Sequence, residues 1–258
     1  MTRALVTGGG QRIGRAMALE LARAGMDVAV HYATAEMGAH EVVEEIRAMG
    51  RQAVALGADL LDEAQTTALV PRAADALGGP LSTLINNASI FEHDTIETAT
   101  LASWNRHMAT NLRAPFVLTQ AMAADAPPPI RDENNEPVAQ ALVINMVDQR
   151  VRNLTPHFMS YTLAKMGLWA FTQTAAQGLA PRVRVNAIGP GPTIQGHRQS
   201  DVHFKSQRAA TILERGANIS DITAALRYFL SAPAVTGQLL CIDGGQHLSW
   251  RTPDILDQ

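Results

Sequence analysis

TGGGQRIGR, residues 7–15, follows the apolar run ALV (4–6) and opens a stretch whose apolar residues recur at helical spacing. ALVTG (4–8) reads as a strand and Ile13 to Ala24 as a helix closed by Gly25. Glycines at such a strand-to-helix turn let the backbone bend sharply and approach a pyrophosphate. The free N–H groups and dipole of the helix start favour the anion. An ordinary tight turn would also carry glycines, but this position, after the first strand and before a helix, points to a dinucleotide. Gly8, Ile13 and Gly14 are therefore candidate cofactor residues. Arg12 projects from the same turn, and its guanidinium suits phosphate oxygens.

Strands and helices alternate outward from the turn. DVAVHY (27–32) is a second strand. The next helix carries Val42, Val43, Ile46 and Met49 and stops at Gly50. QAVALGADL holds a third strand, a helix spans about Asp62 to Leu77, and LSTLINNAS holds a fourth strand. A long helix, roughly Leu101–Ala124, contains Pro115, which is expected to kink it or cost it a hydrogen bond. DAPPPIRDENNEPVAQ reads as an exposed loop. ALVINMV, RVRVNAI and QLLCIDGG supply strands five to seven, with a helix closed by Pro181 between the first two. Nearly uninterrupted apolar strands alternating with helices imply an α/β fold with a parallel sheet covered on both faces.

The 258 residues, 47% of them hydrophobic, suit one domain spanning 1–258 with a substantial core. The net charge of −3 is spread along the chain with no basic run, so nucleic acid is not expected as a partner. No apolar run approaches the ~20 residues of a membrane helix, so no membrane is expected either. Cys241, the lone cysteine, excludes an intramolecular disulfide and sits in an apolar run. With the first strand starting almost at once, the expectation is a cytoplasmic protein. The eight histidines form no recognisable ligand cluster, and His197 and His203 are read as solvated, so no metal is expected.

The second strand ends in His31-Tyr32-Ala33-Thr34. A site preferring NAD usually places an acid there for the ribose 2′-hydroxyl; none stands here, and Glu36 is expected in the next helix. Arg12 without that acid favours a 2′-phosphate, hence NADPH, with His31 and Tyr32 beside it.

VDQRVRNLTPHFMSYTLAK (147–165) carries Tyr161 and Lys165 at i and i+4, on one helix face, and Asp148 thirteen residues before the tyrosine. A lysine ammonium near a phenol favours its ionisation. A carboxylate about 4 Å away opposes it by roughly 4 kcal/mol at an effective dielectric of about 20, about a thousandfold in the ionisation constant. Either Asp148 is partly protonated in a closed pocket, or the substrate is not a simple carbonyl. A ring imine nitrogen takes up its proton as hydride arrives at the adjacent carbon, and no alkoxide forms. A solvent-facing Asp148 capping its loop is the plain alternative.

TGGGQRIG, NNAS (86–89), Asn111, Tyr161 with Lys165, and GPGPT (189–193) stand in the order of the short-chain dehydrogenase/reductase family, which the chain resembles through IDGG near its end. The resemblance implies a Rossmann-type doubly wound sheet of seven parallel strands, hydride transfer with NAD(P), and a homotetramer joined through two long helices. It implies that Lys165 bonds the nicotinamide ribose and that Asn111 holds a water through a local helix distortion. By the same resemblance Asp59 meets adenine, Asn87 and Ala88 line the adenosine side, and Pro190, Gly191 and Thr193 shape the nicotinamide pocket. Three departures, Arg12 in the place of the middle glycine, Asp148 in the serine slot and NNAS for NNAG, together with Phe91, resemble the pteridine reductase branch, which includes bacterial dihydrofolate and dihydromonapterin reductases. That branch implies stacking of Phe91 on a pterin and contact by Ser89 with cofactor or pterin. Arg12, Asp148 and Tyr161 are the other substrate candidates. Segment 194–217 is expected to form a substrate lid. A reductase of simpler carbonyls and a non-catalytic NADP(H) sensor are the competing readings.

Overall fold

The computed structural model describes residues 2–196 and 199–250. Its main sheet is assembled from β1 (Arg3–Val6), β2 (Asp27–Tyr32), β3 (Ala53–Gly57) and β4 (Thr83–Asn86), then β7 (Ala141–Met146), β8 (Val183–Pro190) and β9 (Leu239–Ile242). The strand order is 3-2-1-4-7-8-9, and every pairing is parallel. Leu5 is paired with Ala29 on one side and Leu84 on the other, so β1 lies inside the sheet. This is the expected doubly wound arrangement. The chain builds outward from β1 to β3, then returns to add β4 beside β1. The reversal opens a crevice at the carboxyl ends of β1 and β4, where such sheets bind ligands.

Side-chain alternation divides the core between the two faces. Ala4 and Val6 join α1 (Arg12–Arg23), α2 (Glu36–Ala48) and α8 (Ile219–Ser231) on one face. Leu5 joins α3 (Glu63–Ala76) and α5 (Ala114–Ala124) on the other. In β7, Leu142, Ile144 and Met146 face the first layer, while Ala141 and Val143 face the second.

Three stretches differ from the sequence expectation. The long helix is α4 (Leu101–Met108), a π turn over Ala109–Arg113, and α5, in one run. Pro115 has no N–H for the Asn111 carbonyl, and its ring would strike that carbonyl in a regular α-helix. The wide turn relieves this, and Ala114 N–H reaches back five residues to Ala109 O. The stretch read as a plain loop holds a short antiparallel ribbon, β5 (Ile130–Arg131) with β6 (Pro137–Val138). Its turn is closed by Asp132, whose Oδ1 accepts from the N–H groups of Asn134 and Glu136. Finally, α8 was not anticipated; it buries Leu226 and Phe229 completely, each contributing about 1.5–3 kcal/mol.

α6 (Met159–Leu179) carries the Tyr161–Lys165 pair between β7 and β8. The expected lid holds α7 (Asp201–Ala209), which has no buried residue. His197 lies outside the described residues. Among the described residues no helix is long and apolar enough to cross a membrane, and no group of three potential metal ligands stands together.

Candidate functional site

The crevice beside β1 is a cleft of about 600 Å³, within the usual range for small-molecule sites. It gathers Gly8, Arg12, Ile13, Gly14, His31 and Tyr32 from the first two strand ends, with Asp59, Asn87, Ala88 and Ser89 from the next two. The turn is held from three directions. Gly8 adopts φ 62°, and its N–H donates to His31 Nδ1 at 3.1 Å. His31 Nε2 then donates to Ala58 O at 3.0 Å, so both ring nitrogens are used, and burial lowers the pKa of this imidazole. Asn87 Nδ2 donates to the carbonyls of Thr7 and Gly8, while Thr7 Oγ1 accepts from the N–H groups of Asn87 and Ala88. His31 and Asn87 thus shape the turn from beneath.

This turn fits a dinucleotide. A Cβ at Gly14 would stand 2.1 Å from Gly8 O, so backbone packs on backbone where a pyrophosphate must approach closely. Gln11, at the start of α1, makes no side-chain cap bond and the first turn holds no acid, which leaves its amides to an anion. Arg12 occupies the glycine slot with φ 54°, a conformation that favours glycine. Its guanidinium donates to Gln195 O at 3.0 Å and Ile194 O at 3.1 Å, tying the turn to the start of the lid. Thr34 lines the cleft beyond Tyr32, and the Tyr32 hydroxyl donates to Glu36 Oε1, which opens α2 as expected.

The second cluster lies at the ends of β7 and β8. Asp148, just past β7, turns inward. Its Oδ1 accepts from Arg150 N–H at 2.8 Å, capping a short 3₁₀ turn, and its Oδ2 accepts from the Tyr161 hydroxyl at 2.8 Å. Burial raises the Asp148 pKa, against smaller opposing effects of the Arg150 N–H, Tyr161 and the Arg150 charge. Burial, then the Asp148 charge, drives the Tyr161 pKa well above 10. Lys165 is buried and donates from Nζ to Met146 O at 2.6 Å; burial lowers its pKa to about 8. Its Nζ stands 5.7 Å from the Tyr161 ring centroid.

Asn111 sits inside the π turn, so the helix distortion is present. Both ends of its side-chain amide, however, are committed to Ile90, accepting from its N–H at 2.9 Å and donating to its carbonyl at 2.8 Å. Pro190 ends β8. Gly191 packs against Asp243, and Thr193 donates to Gly191 O at 3.2 Å; none of the three lines the cleft beside β1. Among the described residues Ser89 Oγ bonds only its neighbour's carbonyl, at 3.4 Å.

Phe91 is half exposed. It stacks on Phe158 with centroids 4.2 Å apart and meets Tyr161 edge to face at 4.7 Å. The Arg150 guanidinium lies 5.1 Å over Phe158. Sequence reasoning missed Phe158 and Arg150. Phe158 adopts φ 58°, which no local signal announces for a bulky residue.

The fold and these two clusters define a dinucleotide-binding oxidoreductase. The family model described as short chain dehydrogenase matches residues 2–204, and the chain belongs to that family. The chain is 40% identical to the FolM alternative dihydrofolate reductase 1 of Brucella canis, solved complexed with NADP. That match covers 98% of this chain and 97% of that one, with a TM-score of 0.90. A short chain dehydrogenase of Burkholderia cenocepacia, solved in complex with NADP, is 31% identical over 95% of this chain and 97% of that one, with a TM-score of 0.85. The 3-oxoacyl-[acyl-carrier-protein] reductase FabG of Staphylococcus aureus is 30% identical over 95% of this chain and 98% of its own length. The pteridine reductase-like branch named by Arg12, NNAS, Phe91 and Asp148 agrees with the Brucella match.

Proposed function

We propose that this protein is an NADPH-dependent reductase of a pterin-type C=N bond, in a dihydropteridine or dihydrofolate. The single observation that carries this reading is the Tyr161–Asp148 hydrogen bond of 2.8 Å. NADPH, when bound, supplies the hydride. Gly8, Gly14 and the α1 N-terminus would hold its pyrophosphate, and Arg12 would be the cation for its 2′-phosphate.

The remaining steps belong to the side chains. Burial makes Tyr161 resist ionisation, and the hydrogen-bonded Asp148 carboxylate adds to that resistance. That suits poorly a reaction in which tyrosine gives up its proton to a forming alkoxide. Asp148, its pKa raised by burial, can hold a proton; the bond then reverses, the Asp148 carboxyl donating to the phenol oxygen while Tyr161 gives its own proton to a basic ring nitrogen. Tyr161 then regains a proton as it gives one, and no phenolate stands beside a carboxylate. Lys165 sets an ammonium under the ring of Tyr161 and offsets the Asp148 charge. Asn111 fixes Ile90, and Phe91 offers a flat face for stacking.

The second reading, reduction of a simple carbonyl, is favoured by the 30% identity with 3-oxoacyl reductases over 95% of the chain. A non-catalytic NADP(H) sensor has no use for Tyr161, Lys165 and Asn111 in one site. Oxidation of NADPH by the purified protein, assayed with dihydrobiopterin, dihydromonapterin, dihydrofolate and several ketones, separates the three. Pterin or folate turnover supports the first reading and turnover of ketones alone the second. Binding with no oxidation supports the sensor.

We also infer a cytoplasmic homotetramer. An apolar groove between α5 and α6, where half-exposed Phe116 meets Phe171 at 5.2 Å, supports the association, which light scattering tests.

A further inference from the structure

One fully buried polar chain near the site is unused by the reaction above. It joins Asp94, in the loop that carries Phe91, to His107 on α4 and Ser160 on α6, next to Tyr161. Its hydrogen-bond directions are fixed by the backbone. Glu92 N–H donates to His107 Nε2 at 3.2 Å, so that nitrogen is bare and Nδ1 carries the proton. His107 Nδ1 donates to Ser160 Oγ at 2.7 Å, and the Ser160 hydroxyl donates to Asp94 Oδ2. Asp94 Oδ1 accepts from Ser160 N–H at 3.2 Å, and the Asp94 carbonyl accepts from Phe158 N–H at 2.8 Å.

The loop is thereby fastened at three places. Ile90 is held by Asn111, Glu92 by His107 and Asp94 by Ser160. Phe91 stands between the first two fastenings. The third also fixes Phe158, the ring on which Phe91 stacks. Every fastening ends on the π turn or helices of the α4–α6 unit that also carries Tyr161. Buried polar groups cost stability unless each is paired, and a fully paired directional chain admits one geometry where an apolar filling admits several.

We propose that Asp94, His107 and Ser160 are positioning residues: they hold Phe91 and Phe158 in register with Tyr161, so that a flat ring stacked there presents its nitrogen to the Tyr161 hydroxyl. This rests on the pterin reading. None of the three lines the cleft beside β1. They act on the slot in which the ring lies, and a small misplacement of that slot weakens productive binding out of proportion to its size.

The test compares His107→Phe, which removes both of its hydrogen bonds, with Ser160→Ala, which cuts the chain at its centre. The rescue is His107→Gln, whose Oε1 can take the Glu92 N–H. KM for the reduced pterin is expected to rise at least about tenfold in the first two, with kcat within about threefold and with recovery in the rescue. NADPH affinity, read by fluorescence titration, stays unchanged. KM within about twofold of the parent in both variants overturns the proposal, as does an equal loss toward a compact ketone. A second readout is independent of the substrate. Amide hydrogen exchange over residues 90–94 is expected to quicken in Ser160→Ala and His107→Phe, and unchanged exchange overturns the clamp. If the parent turns over no pterin yet the exchange quickens, the clamp stands and the pterin reading fails.

Discussion

The Tyr161 hydroxyl donates to Asp148 Oδ2 at 2.8 Å, and the proposed C=N reduction rests on this bond. The phenol's proton points at the Asp148 carboxyl. Replacing Asp148 by Ser restores the residue type usual in the family. C=N reduction is expected to fall by about a hundredfold or more in kcat/KM, the range typical of a lost proton donor, while ketone reduction is kept or improved. The ionisation of Tyr161 moves back toward the ordinary tyrosine range as the Asp148 charge is removed. With three tyrosines in the chain, phenolate absorbance can follow this. Unimpaired pterin turnover by Asp148→Ser would falsify the proton-delivery reading.

The same buried carboxylate should weaken the fold at neutral pH. Its folded-state pKa is raised, so the folded protein binds a proton more readily than the unfolded chain. The associated stability is fully present below the unfolded value near 3.8 and is lost as pH rises through the folded value. Asp148→Asn is therefore expected to melt higher than the parent at pH 7, with the gain shrinking toward pH 4. Activity on C=N bonds falls in the same variant, a trade of function for stability. Thermal melts across that pH range read the difference directly; a lower melting temperature at pH 7 would contradict it.

The legibility of the chain follows the range of each interaction. The Gly8–Gly14 turn shows in sequence because it is local and only glycine fits at position 14, against Gly8 O. Tyr161 and Lys165 show because one helical turn separates them. Asp148 could be flagged as an anomaly, but its inward orientation depends on the 3₁₀ turn it caps. Pro115 announced a break and not its form; a π turn needs the packing of neighbours to choose it over a kink. α8 had a readable signal in the capping box of Asn218 and Asp221, followed by Ile222, Leu226 and Phe229. The Asp94–His107–Ser160 chain joins residues 53 and 66 positions apart, and no spacing rule reaches that far.

Arg12 is strained by its φ of 54° and bonded to the carbonyls of Ile194 and Gln195. Arg12→Gly removes strain and guanidinium together. A hydrogen bond to a charged group contributes about 1.5–3 kcal/mol, so the Kd for NADPH is expected to rise on the order of ten- to a hundredfold. NADH, which lacks the 2′-phosphate, moves little. Parallel titrations of the two cofactors check this. Equal weakening of both would assign Arg12 to the lid tether alone.

Phe91 offers the cleanest separation of substrate classes. Its ring is half exposed, so replacing it costs the core little. Its stack on Phe158 at 4.2 Å and its edge contact with Tyr161 at 4.7 Å place a flat aromatic surface beside Tyr161. Offset stacking contributes about 0.5–1.5 kcal/mol beyond burial, so Phe91→Leu is expected to raise KM for a reduced pterin by about two- to tenfold. A compact ketone has no ring to stack, and its KM should move by less than about twofold. The Tm of the variant should stay close to that of the parent. A KM loss of the same size for ketone and pterin would mean that Phe91 shapes the pocket generally, and the stacking role would then fail even with pterin reduction intact.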